Sequence, residues 1–592
     1  MTDRTNGDPM IKINIFEKNC RTRRICTAFI ALLMIFSLLL CSCNNVPDSP
    51  SVSEPTGSES GSAADSSGAQ EPETDLDIVK EGRSEFSIVR SEFAGDAAKS
   101  YVSGVQNVIT LATGTALELR DDFVGWDGEV DNSSYEILIG RTNREASKSV
   151  LSRLSYGDWA IEICGNKLVI AAWNDEALKV ACSAFNEYIY ANSVEGSLKV
   201  DASYSRRETV DEKMNAIPTY DVADEKATIS FLDLADENSM VYIDKTDVSE
   251  YESYLKLLES NGYKQYQKRT VNDNIFSIYT SDKYTVSAQF TKSDKASRII
   301  IEPAFSLDLF EKKEYTKVCE PAVTMVGLGS YSEIGLFLIF TLEDGRLIVV
   351  DGGASVQESL KLIPENLQAA SPDPDNIVVA AWIFTHAHAD HAGGFCKWAP
   401  SGYKNVKVEN FILNFTTREI YEQVKSLGYS ESTRNYIKQY YPDATVIKAH
   451  VGQVYHFADA EIEMLCAYDT ILPTEPDEHN TTSLVFRYKT NGQTITVLGD
   501  SSNTTSNRLV SLYGDYLKSD IVNVAHHGMG GATPTLYSKL NAPVLLWTSS
   551  EYAFGTVKDR SYNKRAIELA KEIFIADDDV TRLTLPYKIQ SE

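Results

Sequence analysis

The sequence predicts a chain of several α/β domains with its chemistry confined to the C-terminal half. Three observations carry this. At 592 residues the chain is too long for a single hydrophobic core. Strand-like and helix-like stretches alternate along most of its length, separated by turn residues. All eight histidines lie after residue 385. The composition, 43% hydrophobic and 24% charged, is that of a globular protein. A formal net charge of -28 argues against a protein that coats extended nucleic acid, because such binding needs a basic stripe. Small anionic substrates stay open.

The N-terminus reads as a targeting segment. Arg21, Arg23 and Arg24 precede an uncharged, mostly apolar run of 16 residues over 25–40, too short for a typical spanning helix and suited to a signal peptide. It leads into Leu40-Cys41-Ser42-Cys43, which resembles a bacterial lipobox. The resemblance implies a lipoprotein signal peptide over 1–42 and a lipidated Cys43 holding the chain on the outer face of the cell membrane. An ordinary signal peptide or a retained anchor is the alternative. Residues 1–42 carry six Lys/Arg and three Asp/Glu, so their removal takes the formal charge from -28 to -31. Residues 43–79 are rich in Ser, Gly and Glu and too poor in apolar side chains to offset chain entropy. They read as a disordered tether. Beyond the signal, Cys164, Cys182, Cys319, Cys396 and Cys466 are scattered, with no CxxC. Neither a disulfide framework nor a thiolate metal site is expected.

An accessory α/β domain is expected over 80–207. Strands are predicted at 86–89 and 135–140, helices at 97–112 and 175–190, and a hairpin of 160–163 with 167–171 through Gly165-Asn166. The stretch 135–144 is similar to accessory α/β domains that precede catalytic barrels in several carbohydrate-active enzymes. Arg141 and Arg144 within it are read as a solvated helix start. A small α+β domain is expected over 208–318, with strands at 227–232, 240–243, 275–279, 284–290 and 298–301. An amphipathic helix at 248–261 presents Tyr251, Tyr254, Leu255, Leu257 and Leu258 at helical spacing. Those tyrosines are expected to pack on the sheet. Over 319–592 the pattern changes to short apolar strands. A hairpin joins 337–340 and 347–350 through Glu343-Asp344-Gly345. A run at 377–384 is apolar enough for a strand buried on both faces, and further strands fall at 494–498 and 521–525.

The chemistry sits directly after the 377–384 run, in Thr385-His386-Ala387-His388-Ala389-Asp390-His391-Ala392-Gly393-Gly394. Two histidines at a spacing of two at a strand end are expected to present their imidazoles on one side. Asp390 and His391, turning into a helix, can supply a carboxylate and an imidazole beside them, and the glycines let the turn pack tightly. His450 and His456 flank a hairpin without metal spacing and read as structural or surface residues.

This segment resembles the signature of the metallo-β-lactamase superfamily, and four other motifs extend the resemblance over about the last 270 residues. They are Val349-Val350-Asp351-Gly352-Gly353, His479 ahead of Ser483-Leu484-Val485, Gly499-Asp500, and Ala525-His526-His527-Gly528. The resemblance implies an αββα sandwich holding two metal ions, zinc first with manganese or iron as alternatives. His386, His388 and His479 would serve one ion. Asp390, His391 and His526 would serve the other, and Asp500 would bridge them. Asp351 would orient a ligating histidine from behind. His526 is preferred over His527 as ligand because it lies nearer the strand end; His527 is then an acid beside the leaving group, or else the true ligand. Asp390 and Asp500 would have catalytic as well as ligating roles, through a dimetal-bound hydroxide.

The motif set is most similar to one branch, containing the metallo-β-lactamase domains of DNA-uptake competence proteins and the teichoic-acid phosphorylcholine esterases. It implies a phosphodiesterase or related esterase acting on a small molecule, an envelope polymer or DNA. The DNA-uptake domains often lack a histidine where His479 stands, which weakens the nuclease reading in particular. The alternative is a glycan- or envelope-binding surface lipoprotein with a weakly active metal domain, and β-lactam hydrolysis comes third.

Overall fold

The computed structural model describes residues 75–124, 130–154, 157–208, 213–223, 227–234, 236–402, 404–415, 428–471 and 479–590. The predicted signal peptide, Cys43 and the predicted tether up to residue 74 lie outside the described residues. The last part of that tether does not stay free: Leu76–Val79 is a strand that pairs antiparallel with Ser197–Val200. Its apolar positions Leu76, Ile78 and Val79 are buried, which a disordered segment would not achieve. Among the described residues, no helix is long and apolar enough to cross a membrane.

The first α/β region centres on a six-stranded sheet. Ser87–Arg90 lies between Glu118–Asp121 and Glu136–Ile139, parallel to both. Lys167–Ala172 continues the parallel run, and Trp159–Cys164 closes it antiparallel through the predicted hairpin. The strand Glu118–Asp121 gave no sequence signal because it is a largely exposed edge strand of mostly charged residues. Helices Asp96–Thr113 and Asp175–Asn192 cover the sheet, burying Val102, Val105, Ile109, Ala181 and Phe185 in its core. Arg144 is not solvated as expected. It is buried and pairs with Glu136 at 3.0 Å, and Lys167 reaches the same carboxylate at 2.9 Å. Three long side chains thus replace a solvated helix start with a satisfied ionic cluster.

The middle region is a six-stranded antiparallel sheet running from Ile229–Asp233 at one edge to Lys264–Val271 at the other. Helix Val248–Ser260 lies on it, started by a capping box in which Asp247 and Glu250 satisfy each other's backbone amides. Tyr251, Tyr254, Leu255 and Leu258 are buried against the sheet as the spacing predicts, but Leu257, expected on the same face, is 36% exposed. Its edge strand Lys264–Val271 was missed, being mostly polar. Val271, Phe276 and Ile278 of this sheet share one hydrophobic core with the C-terminal sandwich. Arg269 also reaches Glu463 of the sandwich at 2.8 Å.

The C-terminal region is two sheets face to face with helices outside. One sheet has eight strands, with Phe337–Thr341, Leu347–Asp351 and Ile377–Ile383 side by side at its centre. The other has seven, including Val485–Thr490, Gln493–Val497 and Ile521–Asn523. Alternation sorts the layers: Ile348 and Val350 face the inter-sheet core, while Leu347 and Val349 face the helices Ser359–Ala370 and Gly393–Trp398. This is the αββα arrangement the sequence implied. Leu347–Asp351 and Ile377–Ile383 run parallel with Val350 opposite Ile383, so Asp351 and Thr385 emerge together at one end of the sheet.

Gly394 fixes how the helix after the histidine motif docks there. A Cβ on it would sit 1.9 Å from the Gly352 carbonyl oxygen, a backbone atom that cannot give way. Gly394→Ala is therefore expected to cost about 3 kcal/mol of stability through overpacking. A lowered urea midpoint checks it, and a midpoint equal to the parent's would contradict this packing.

Candidate metal centre

The predicted strand ends at Ile383, so strand parity does not place the two imidazoles. Residues 385–392 instead turn away from the sheet and pack back on it. Asp351 organises this turn. Its carboxylate accepts from the Thr385 amide at 2.8 Å, from the Thr385 hydroxyl at 2.7 Å, and from His391 Nδ1 at 2.8 Å. Asp351 is fully buried and holds a left-handed φ of 54°. A non-glycine residue in that region is uncommon, and here three hydrogen bonds retain it.

The far ring nitrogens converge. His386 Nε2 lies 3.0 Å from His388 Nδ1 and 3.7 Å from Asp500 Oδ2. His391 Nε2 lies 3.0 Å from Asp500 Oδ1 and 3.1 Å from His527 Nε2. His527 Nε2 is 3.2 Å from Asp390 Oδ2 and 3.4 Å from Asp500 Oδ1. Two donor groups result, His386 with His388 and Asp500, and Asp390 with His391, Asp500 and His527, and Asp500 belongs to both. His479 is buried beside the first group, its ring centroid 4.9 Å from that of His388.

Between the two neighbouring histidines the geometry reverses the expected preference. His527 is 1% exposed and points its Nε2 into the cluster; His526 is 32% exposed, with its Nε2 3.7 Å from Asp500 Oδ2 and outside both donor groups. The reason is local. The strand Ile521–Asn523 ends two residues before the pair, and both histidines adopt left-handed backbone, with φ of 50° and 52°. Nearness to the strand end therefore says nothing about which ring turns inward. The conformation is held from outside the motif. His527 Nδ1 donates to the Thr548 carbonyl at 2.9 Å, Trp547 Nε1 donates to the His527 carbonyl at 2.8 Å, and Asn563 donates to the Gly528 carbonyl. Gly528 has φ 78°, and a Cβ there would meet Trp547 at 2.2 Å. No motif flagged Thr548, because its part is played by a backbone carbonyl.

These residues fit a metal pair on their own chemistry. His391 and His527 each commit the Nδ1 proton, one to Asp351 and one to Thr548, so each Nε2 presents a lone pair. Two lone pairs 3.1 Å apart repel unless a cation lies between them and the carboxylates. Asp500 Oδ1 is buried and accepts no hydrogen bond of good geometry. The carboxylates draw positive charge to the same nitrogens, so that a proton competes with a metal for each Nε2. Burial opposes a charge on His391, yet Asp500, Asp351 and Asp390 hold it well above the usual histidine range. Burial likewise opposes His527, and Asp500 with Asp390 still carries it up to about 9. Burial pushes His386 and His388 the other way, toward the neutral form that ligates metal. The donor set of imidazole and carboxylate without thiolate suits zinc, manganese or iron. Cys396 and Cys466, in the same domain, are free thiols that burial pushes up to about 11.

Residues 336–528 match the family model described as the metallo-beta-lactamase superfamily. The match takes in every residue of the two donor groups. No curated protein matches the chain. Among solved structures, the metallo-beta-lactamase fold protein YhfI from Bacillus subtilis is 17% identical, over 44% of this chain and 100% of its own, with a TM-score of 0.26. Unliganded yeast PDE1 is 14% identical over 45% of this chain and 100% of its own, at 0.30. Zinc-bound PqqB from Methylobacterium extorquens is 10% identical over the same shares, 45% and 100%, at 0.26. Likenesses this slight say nothing of what the domain acts on.

Asp351 offers the clearest local test of the metallo-beta-lactamase site. Asn in its place cannot accept from Thr385 and His391 with both side-chain ends. Asp351→Asn is expected to weaken metal binding about 10–100-fold, measured by competition with a chromophoric chelator. Unchanged affinity would remove Asp351 from the machinery.

Proposed function

We propose that the metallo-beta-lactamase domain is a metal-dependent hydrolase of phosphodiester or related ester bonds, working outside the cell on a chain anchored through a lipid on Cys43. The observation that carries the hydrolase reading is the pair of donor groups sharing the buried carboxylate of Asp500. In this proposal His386, His388, His479 and Asp500 hold one ion, and Asp390, His391, His527 and Asp500 hold the other. Metal bound there would supply an acidified water and polarise a phosphoryl or carbonyl oxygen.

The chain's own residues supply the rest. Asp351 and Thr548 fix the tautomers of His391 and His527, so that both rings keep a lone pair for the site. Asp390 is 21% exposed against 2% for Asp500, which makes it the carboxylate that meets incoming water and orients it. His526, 32% exposed beside the cluster, takes the part of proton donor to the leaving group, which the sequence had offered His527.

Hydrolysis of bis(p-nitrophenyl) phosphate in zinc or manganese tests the reaction. The parent should turn over, and Asp390→Ala and His386→Ala should not. Activity that survives both substitutions, or a metal-loaded parent that leaves phosphodiesters intact, overturns the phosphodiesterase reading. The anchor is tested apart from it: Cys43→Ser should move the protein out of the membrane fraction, and an unchanged distribution would contradict lipidation there.

A further inference from the structure

Asn523 is a buried amide at the end of an apolar strand. It is 1% exposed and follows Ile521 and Val522, both fully buried. Its strand runs between Gln493–Val497 and Val544–Trp547, parallel to both. A polar side chain in such a place costs free energy unless each of its atoms finds a partner.

The partners of Asn523 lie on the ends of the two neighbouring strands. Its Oδ1 accepts from the Leu498 amide at 3.3 Å. Its Nδ2 donates to the Thr548 hydroxyl at 3.5 Å and to the Val524 carbonyl at 3.3 Å. Leu498 and Thr548 are the first residues beyond their strands, and both are buried. A buried backbone N–H needs an acceptor, and for Leu498 the asparagine supplies it.

Each of these strand ends carries part of the metal centre. Asp500, common to both donor groups, comes two residues after Leu498. Thr548 holds His527, whose Nδ1 lies 2.9 Å from its carbonyl oxygen and 3.1 Å from its hydroxyl. Asp500 Oδ1 and His527 Nε2 then meet at 3.4 Å. His386 reaches Asp500 from the other side, through Oδ2 at 3.7 Å. We propose that Asn523 is a positioning residue of the metal centre, its amide fixing the strand end that carries Asp500 relative to the strand end that holds His527. It thereby sets the affinity of the ion placed among Asp390, His391, Asp500 and His527, and so rests on the two-ion reading above.

Titration of metal-free protein with zinc, in competition with a chromophoric chelator, tests this. The parent should take up two ions. Asn523→Leu matches the amide in shape but carries no polar atom; Thr548→Val removes the hydroxyl and keeps the carbonyl. Each should weaken one ion about 10–100-fold and leave the other within about 3-fold, as expected for a group that orients a ligand from behind. The double variant should bind at most about 3-fold more weakly than the poorer single variant, because both changes break one link. Thr548→Val carries the test should Asn523→Leu fail to fold. Zinc bound by the variants as tightly as by the parent, both ions weakened alike, or losses that multiply in the double variant would overturn the assignment. A parent that takes up fewer than two ions would overturn the two-ion reading, and the role of Asn523 with it.

Discussion

Asp500→Ala is expected to leave the protein with at most one metal ion per chain and to lower hydrolysis at least ~10³-fold, on the scale of losing a principal electrostatic element of an active site. Its carboxylate is the group common to both donor sets. Oδ1 serves the His391 and His527 side at 3.0 and 3.4 Å, while Oδ2 faces His386 at 3.7 Å. Burial works against its ionisation, but His391 and His527 hold it well below the usual carboxylate range. That direction favours the ionised carboxylate, the form that binds a cation. Its position is set by backbone. Gly499, at φ 52°, turns the chain out of strand Gln493–Val497, and the Ser483 hydroxyl accepts from the Asp500 amide at 3.3 Å. Elemental analysis of dialysed protein, beside turnover in the same sample, measures both losses. Two ions retained with activity within a few-fold of the parent would dismiss Asp500 as the shared ligand.

The second large effect separates two neighbours. His527→Ala is expected to lose the ion held with Asp390 and His391, and with it nearly all activity. His526→Ala should keep both ions and lose only what a proton donor contributes, ~10²–10⁴-fold for substrates with poor leaving groups. For p-nitrophenyl esters, whose leaving group needs no proton, the His526 effect should shrink to a few-fold. Measuring metal content and two leaving groups on both variants gives six readings from one experiment. Metal loss in His526→Ala, with metal kept in His527→Ala, would reverse the assignment.

That pair also shows where the sequence stops informing. Within the sandwich, Asp351, the His386 to His391 segment and Asp500 are legible, because each ends or follows an apolar strand, two in one sheet and one in the other, and the strands bring them to one end of the sandwich. The choice between His526 and His527 is not. It depends on two left-handed residues and on Thr548, 21 positions further along, whose carbonyl is a generic backbone group. Likewise Glu118–Asp121 and Lys264–Val271 are edge strands of mostly polar residues, so no apolar alternation marks them. Arg144 looked like a helix-start cation and is instead buried on Glu136, a partner eight residues away on the preceding strand. His450 was expected to be structural or on the surface. It is fully buried at the seam with the middle sheet, where Asn238 and Glu302 face it across more than a hundred residues of chain. Spacing rules describe neighbours within an element; contacts made by long polar side chains between elements leave no period to detect.

The most direct test of the central claim is anomalous diffraction at the zinc edge from crystals of the protein grown with zinc. Two peaks are predicted, one coordinated by His386, His388, His479 and Asp500, the other by Asp390, His391, Asp500 and His527. No peak among these residues, or a peak ligated by His526 in place of His527, would contradict the account.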